Sequence, residues 1–335
     1  MAATPLFLLM GLLGLAALLW GLRRLWLRRR ANRQRQMVED ALKYLLEREL
    51  EAHPAAPEAL AGALRLSRQE AWHLLAAMQQ KGLVQSHGAR LALTPAGRQW
   101  AAHVLRAHRL WERYLADEAR LPLEDVHQAA HRWEHQATPE SLDRLEAHLG
   151  YPRRDPHGDP IPRRGDVPPP ITATPLTDWP EHTPGVIAHL EDEPPVAFRQ
   201  IAAAGLRLGQ HVHVEARGPH GLRLSDGRRV YRLPLSVAAN IYLRPPTEQE
   251  TLPDDAQPLH LLPDQQPAQV VALAPWLQGF TRRRLMDLGI TPGAKITPVL
   301  RPFFGDPRAY RVRGTTIALR QDQAAAIFVR PLSDA

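Results

Sequence analysis

The sequence has no cysteine among its 335 residues. This absence excludes a disulfide framework and any metal site built on thiolates. A metal site in this protein must therefore use histidine imidazoles and carboxylates. Proline, by contrast, is abundant, and its 32 occurrences indicate linkers and turns rather than one continuous helical protein. The length is sufficient for two or three domains with cores of their own.

Acidic residues are missing from the first 36 positions, which contain seven arginines. The formal net charge of the whole chain is +7, so subtracting these seven leaves residues 37–335 at zero. The high isoelectric point therefore belongs to the N-terminal segment, and it is not evidence for nucleic-acid binding by the rest of the chain.

Residues 5–22 are uncharged and mostly apolar, and arginines follow them, with Trp20 and Trp26 close by. This length can span a bilayer with help from the flanks. A cleavable signal peptide carries its charge before the apolar run, whereas here the charge comes after it. We therefore predict a single-pass anchor in the inner membrane, with the N-terminus outside and the other domains in the cytoplasm. The alternative is a helix buried in a protein core.

Residues 37–98 are predicted to form three helices followed by a hairpin. Ser67 can cap the third helix, with Glu70 at the capping-box position. This order is typical of a winged helix, whose third helix enters the major groove of DNA. Glu70 and Trp72 disfavour phosphate binding, so a protein-binding module is the alternative. The candidate DNA contacts are Ser67, Arg68, Gln69, His73 and Arg90.

A histidine-rich helix is predicted at residues 123–136. Its histidines recur every four residues, which places them with a glutamate on one stripe roughly 100° wide. The preceding helix repeats the i, i+4 spacing with a histidine and a glutamate. This set suits a borderline divalent metal such as Zn, Mn or Fe(II), and a solvated histidine-rich face is the alternative. The candidate ligands are His127, His131, Glu134 and His135 on this helix and His108 and Glu112 on the preceding one.

The C-terminal half contains two copies of one unit, at residues 185–246 and 259–335. Each copy reads as a helix, a glycine turn, a hairpin and a final strand, and Gly209 corresponds to Gly293. We predict two small β-barrels. No phosphate loop, nucleophile elbow or paired-carboxylate site occurs in this half, so we do not expect an enzyme.

Several motifs carry a resemblance to known families. LTPAGR at 93–98, AHRLWERYL at 107–115, VHQAAHRWEHQ at 126–136 and DPHGDPIP at 155–162 resemble the diphtheria toxin repressor (DtxR) family of metal-dependent transcriptional regulators. The two C-terminal units resemble the SH3-like barrels of the FeoA family, which is associated with ferrous-iron transport. The second copy is the stronger match, through RLMDLGITPGAKI, GDP at 305–307 and IALRQDQAAAIFV.

The DtxR resemblance implies two metal sites. The ligand at position 131 is cysteine or glutamate in better-known members and histidine here. The primary site falls on His131, Glu134 and His135, completed by Asp40 from the first helix. The ancillary site falls on His108, Glu112 and His127, completed from the barrel, with Glu191, Glu193 or Gln200 as candidates.

These features predict an α+β multidomain protein. Its predicted function is metal-dependent regulation of transcription, as a homodimer that binds double-stranded DNA and responds to Fe(II), with Mn(II) or Zn(II) as other possible ions. The rival is a membrane-anchored accessory protein of ferrous-iron transport that docks on a transporter without binding DNA. A metal hydrolase is a third possibility, but Glu112 is already assigned as a ligand. The predicted parts are a transmembrane anchor at 1–36, a winged helix at 37–98, a helical metal-binding and dimerisation domain at 99–163, a linker at 164–184, an SH3-like barrel at 185–246, a linker at 247–258 and a second barrel at 259–335.

Overall fold

The structure is a computed structural model, and the chain folds into two compact units. One unit is Met1–Leu105 with Gly165–Val167, and the other is Arg106–Arg164 with Pro168–Ala335. Side chains are described from Leu19 onward, except that of His87. The described residues are 4–53, 55–87, 90–227, 229–247, 253, 255–274, 277, 279–300 and 306–332.

The first unit contains the predicted three helices and hairpin. A leucine-rich core with Met78 holds them together, and Leu42, Leu60, Leu75 and Leu105 are almost fully buried in it. The predicted order, three helices followed by a hairpin, is therefore confirmed. The elements are α1 (Thr4–Leu50), α2 (Pro57–Ala63), α3 (Arg68–Gln80), β1 (Val84–His87), β2 (Arg90–Leu93) and the beginning of α4 (Pro95–Asp117).

The predicted membrane anchor requires a correction. Among the residues that the structure describes, no helix is long and apolar enough to cross a membrane. Most of the proposed anchor, residues 5–22, lies outside the residues with described side chains, and the described part of α1 is rich in arginine from position 23 to 35. The predicted transmembrane helix, and the inner-membrane location and orientation deduced from it, are therefore wrong. Instead α1 continues unbroken to Leu50, because no proline or glycine interrupts it after Gly21.

The second unit begins with the rest of α4, which is followed by α5 (Leu123–Glu134) and α6 (Pro139–His148). Leu110, Leu142 and Leu149 are buried together in this helical part. Arg106 is also buried, and its guanidinium bonds Asp143 and Glu146 of α6 at 2.8 and 2.7 Å. These contacts pack α6 against α4.

Two six-stranded sheets, each with its own core, form the rest of the described second unit. Strand order is β3-β8-β4-β5-β6-β7 in one and β13-β12-β11-β10-β14-β9 in the other, so both have the same topology and the duplication is confirmed. The first contains β3 (Thr174–Pro175), β4 (Gly185–Leu190), α7 (Pro195–Ala204), β5 (His211–Gly218), β6 (Gly221–Ser225), β7 (Val230–Pro234), α8 (Leu235–Ala238) and β8 (Ile241–Arg244). The second contains β9 (Gln257–Pro258), β10 (Ala268–Leu273), α9 (Gly279–Asp287), β11 (Lys295–Leu300), β12 (Arg308–Val312), β13 (Thr315–Leu319), α10 (Gln321–Ala325) and β14 (Ile327–Pro331).

Gly97, the glycine of the LTPAGR motif, lies in the first turn of α4 at a position too close to the backbone for any side chain. A Cβ at this position would lie 2.0 Å from the carbonyl oxygen of Leu83. Thr94 caps the same turn, since its hydroxyl donates to the Gly82 carbonyl at 2.6 Å and accepts from the Gly97 amide at 3.1 Å. The helix therefore starts in direct contact with the chain that leads into the hairpin, and no side chain fits between them.

We expect Gly97→Ala to lower the free energy of unfolding by about 1–3 kcal/mol, because the backbone must move to admit the methyl group. Urea denaturation of the full chain measures this. Gly62→Ala is the matched control, since nothing lies within 4 Å of a Cβ there. It should be neutral or stabilising by roughly 0.5–1 kcal/mol, as is usual for glycine to alanine inside a helix. Equal effects of the two substitutions would contradict the steric explanation.

Candidate metal centre

The histidines of α5 divide between two clusters of potential ligands rather than sharing one. Successive positions four apart rotate by about 40° around a helix, so His127 and His131 face different neighbours. His135 follows the last residue of α5 as its C-terminal cap. The predicted single stripe is thus split, and α4 contributes to the cluster around His127.

The first cluster is centred on Glu134, whose side chain is fully buried. Its Oε1 lies 2.8 Å from His131 Nδ1 and 3.4 Å from His135 Nε2. The three side chains each offer one ligand atom, and these atoms lie within 4.8 Å of one another. Asp40 is on α1, in the other compact unit, and its place as the fourth ligand stays a prediction.

The second cluster is centred on Glu112 of α4, which is 2 % exposed. Its Oε1 lies 3.0 Å from His108 Nε2 and 3.2 Å from His127 Nδ1, and these two nitrogens are 3.2 Å apart. That oxygen is buried and makes no hydrogen bond of ordinary geometry to the described residues. The three residues predicted for the ancillary site therefore meet around one carboxylate oxygen.

Sequence reasoning missed two further residues of the second cluster, Asp192 and His157. Asp192 follows β4, and its Oδ2 lies 2.8 Å from His127 Nδ1. His157 Nδ1 lies 3.8 Å from both Glu112 Oε1 and Asp192 Oδ2. Of the barrel residues proposed instead, Glu193 approaches His127 only to 3.9 Å. Glu191 faces His189 at 3.6 Å, and Gln200 is on the exposed face of α7.

The DPHGDPIP motif positions His157. Asp155 is buried, and its Oδ1 accepts three backbone N–H groups, from His157, Gly158 and Asp159, each at 2.9 Å. Gly158 has a φ of 104°, and a Cβ there would lie 2.3 Å from the Ala188 carbonyl oxygen of β4. This tight turn lies directly on the first sheet. The DPHGDPIP motif could have identified His157 as a candidate ligand from the sequence. The acidic run at 191–193 could have identified Asp192 in the same way.

Buried charges of opposite sign determine the ionisation of the second cluster. Burial lowers the pKa of His127, but Asp192 and Glu112 outweigh it and raise the pKa to about 11. The pKa of His157 is likewise raised to about 10, because Glu112 and Asp192 overcome the effect of burial. Burial raises the pKa of Asp192, but its hydrogen bond to His127 and the charge of His157 lower it to about 2. The cluster thus holds two imidazolium ions at neutral pH.

Asp155 differs from the other carboxylates of this region. Burial raises its pKa to about 7, with further contributions from Asp159 and Glu112. It offers a ligand atom within 4.8 Å of those of Glu112 and His157, yet one of its oxygens is already used by the turn. Its other oxygen, Oδ2, lies 3.7 Å from Arg109 Nε, so Asp155 acts as a structural residue of the turn.

The donor set fits a borderline divalent metal. It consists of imidazole nitrogens and carboxylate oxygens, which suit Zn, Fe and Mn. Donors bound to one ion at about 2.1 Å stand roughly 3 Å apart. The separations of 3.0–3.2 Å around Glu112 match this spacing before any adjustment of the side chains.

The candidate DNA contacts lie on the surface of the first unit. Ser67 caps α3 by accepting from the Glu70 amide at 3.3 Å, so the predicted capping box is confirmed. Arg68 is exposed, and its guanidinium lies 3.3 Å from Glu58. Gln69, His73 and Arg90 are exposed as well. The surface of α3 therefore presents Arg68, Gln69 and His73 together with the exposed Trp72, and Arg90 is on β2.

We expect Asp192→Asn to lower the pKa of His127 in metal-free protein, because Glu112 is then the one carboxylate of this pair that still opposes the effect of burial. NMR titration of the imidazole resonances of the chelator-treated chain measures this. Glu191→Gln is the matched control, since that carboxylate faces His189, and it should leave the pKa of His127 in place. An unchanged pKa in Asp192→Asn would show that the barrel loop does not reach the cluster.

Two family models match the chain. One is described as "Iron dependent repressor, metal binding and dimerisation domain" and matches residues 94–163, and the FeoA domain model matches residues 257–331. Among solved structures, a manganese-dependent transcriptional repressor in complex with manganese is similar, with a TM-score of 0.58 and 29% identity. That alignment covers 62% of this chain and 99% of the other.

Curated relatives agree with these matches. The diphtheria toxin repressor of Corynebacterium glutamicum is 43% identical over 94 residues, which are 28% of this chain and 41% of that protein, so less than half of its length is matched. The diphtheria toxin repressor of Corynebacterium diphtheriae is 30% identical over 207 residues, which are 58% of this chain and 90% of that protein. With nearly the whole of that relative matched, the chain belongs to the diphtheria toxin repressor family.

Proposed function

We propose that this protein is a metal-dependent regulator of transcription. The observation that carries the proposal is the pair of histidine–carboxylate clusters on α4 and α5, in a chain whose N-terminal part forms three helices and a hairpin with an exposed third helix. The two relatives described above are diphtheria toxin repressors, and the similar solved structure is that of a manganese-dependent transcriptional repressor in complex with manganese. The same α4 belongs to both units, since it begins at Pro95 and carries His108 and Glu112.

We assign one metal to each cluster. The first would be held by His131, Glu134 and His135 with Asp40. The second would be held by His108, Glu112 and His127 with Asp192 and His157. A divalent ion supplies a charge of +2 that bonds several donors at once, and imidazole with carboxylate suits Fe(II), Mn(II) and Zn(II) alike. Fe(II) is our choice for the native ion, because the FeoA match points to iron.

The regulatory step follows from Asp40. A ligand from α1 that joins ligands from α5 restricts the freedom of the DNA-reading unit, so metal binding raises the population of the DNA-competent arrangement. A homodimer whose two α3 helices enter the major groove about one helical turn of DNA apart would then read two half-sites. In this assignment Arg68, Gln69, His73 and Arg90 face the DNA, and Ser67 holds the helix cap.

The dimer contact cannot be the leucine face of α6. Leu142 of α6 and Leu149, which follows its last residue, are buried in the core of their own unit. Trp133 of α5 remains 47% exposed and stacks on Trp111, with ring centroids 5.4 Å apart. We place the dimer contact at these tryptophans, within the segment that the dimerisation-domain model matches.

A second candidate is an accessory protein of ferrous-iron transport that does not bind DNA. The duplicated barrel and its FeoA match favour it. Glu70 and the exposed Trp72 on α3 favour it as well, because neither side chain suits a phosphate backbone. The two candidates share the metal clusters and differ in whether metal changes DNA affinity.

We expect His131→Ala combined with His135→Ala to abolish metal binding at the first cluster, because both imidazoles are removed from around Glu134. Mn(II) titration of the full chain, with free Mn(II) followed by electron paramagnetic resonance, should lose one site. His148→Ala, an exposed histidine at the end of α6, is the control and should keep the full stoichiometry. Unchanged stoichiometry in the double variant would refute the assignment.

The metal-loaded full chain should bind the DNA upstream of its own gene more tightly than a scrambled duplex, and chelation should remove that difference. Fluorescence anisotropy at several salt concentrations measures it. Arg68→Ala should reduce the slope of log K against log [salt] by about 0.9 if that arginine contacts one phosphate. Arg164→Ala, a surface arginine paired with Asp143, is the control. Metal uptake without any change in DNA affinity would favour the transport candidate.

A further inference from the structure

His108 stands between the two clusters and touches both. It is only 4% exposed. Its Nε2 lies in the second cluster, 3.0 Å from Glu112 Oε1 and 3.2 Å from His127 Nδ1. Its Nδ1 makes a short hydrogen-bonded contact with Glu134 Oε2. Glu134 directs its other oxygen, Oε1, to His131 and His135. The imidazole of His108 and the carboxylate of Glu134 thus form a direct link between the two clusters.

The chemistry of imidazole fixes the direction of this hydrogen bond when the second cluster holds a metal. A neutral imidazole has one proton on its two ring nitrogens. A metal bound through Nε2 uses the lone pair of that nitrogen, so the proton must be on Nδ1. Nδ1–H then donates to Glu134 Oε2, as metal-bound histidines commonly donate to a carboxylate. Glu134 is held by one oxygen and offers the other to the first cluster.

From this geometry we propose that His108 has two functions: it is a ligand of the second metal, and it is the positioning residue that orients Glu134 for the first. This inference rests on the proposed metal binding and adds a defined connection between the two centres. A metal on Nε2 leaves the proton of His108 on Nδ1, so the same imidazole can bind the second metal and donate to the carboxylate that the first metal needs.

A purely structural histidine would fill the same space without these consequences. His108→Asn separates the two cases, because an asparagine amide can place an N–H donor near the position of Nδ1 but has no atom at Nε2. His108→Ala removes both functions. Asp192→Ala removes a ligand of the second cluster while leaving the contact between His108 and Glu134 intact.

The experiment is Mn(II) binding to the full chain, measured by calorimetry and by electron paramagnetic resonance of free Mn(II). His131→Ala with His135→Ala identifies which binding event belongs to the first cluster. We expect His108→Ala to lose the second event and to weaken the first by about 10- to 100-fold, the usual effect of losing such a hydrogen-bonded partner. His108→Asn should lose the second event but keep the first within about threefold of the original affinity. Asp192→Ala should likewise lose the second event and keep the first within about threefold of the original affinity. Circular dichroism of each variant verifies that it is folded.

Three results would overturn the inference. The first is an unchanged first event in His108→Ala. The second is a His108→Asn variant as weak as His108→Ala, which would show that the N–H donor is not what matters. The third is an equally weak Asp192→Ala variant, which would assign the effect to the missing second metal alone. In all three the original chain still binds Mn(II), so the proposed function stands. Absence of Mn(II) binding by the original chain would instead refute the proposed function.

Discussion

Two buried carboxylates, Glu112 and Glu134, determine how the second unit is arranged around its centre. An ionised carboxylate without partners is costly to bury, so each must be surrounded by positive or hydrogen-bonding groups. Histidines supply them from α4, from α5 and from the DPHGDPIP turn. Elements distant in sequence are therefore brought together by the same requirement, and removing any one of them would weaken the compensation of a buried charge.

The two barrels have the same strand order but different loops at the corresponding place. The loop between β4 and α7 contains Glu191, Asp192 and Glu193, and Asp192 reaches His127. The loop between β10 and α9, residues 274–278, has the sequence APWLQ and no acidic residue. The first copy therefore brings an acidic residue to the cluster around Glu112, whereas the corresponding segment of the second copy contains none.

Much of the fold could be predicted because its signals are local. The capping box at Ser67 and Glu70, the hairpin and the repeated barrel unit depend on residues close together in the chain, and the structure contains all of them. Six of the candidate metal ligands were found in the same way, from helical spacing and motif resemblance. The membrane helix was wrong because an apolar run was considered apart from the continuous arginine-rich helix that follows it.

The rest of the centre depends on tertiary contacts that no spacing encodes. His157 reaches Glu112 only because the turn at Asp155 lies on β4, and Asp192 reaches His127 only because the first barrel packs there. Helical periodicity also placed His127 and His131 together, whereas the position of His108 between them assigns each to its own cluster. Spacing identifies which side chains share a face, but the neighbouring elements decide what each one meets.

The charges of the two clusters suggest different tasks for them. At neutral pH without metal, the imidazolium ions of His127 and His157 balance Glu112 and Asp192, since their pKa values are about 11 and about 10. A divalent ion that displaces these two protons would leave the total charge of the cluster unchanged, and its binding would depend on pH because the protons compete with it. The first cluster is different, because His131 is 48% exposed and its fourth predicted ligand comes from the other unit. In the assignment proposed above, a metal there would join α1 to α5, a connection that protons cannot provide, and this is why we propose the first cluster as the regulatory one.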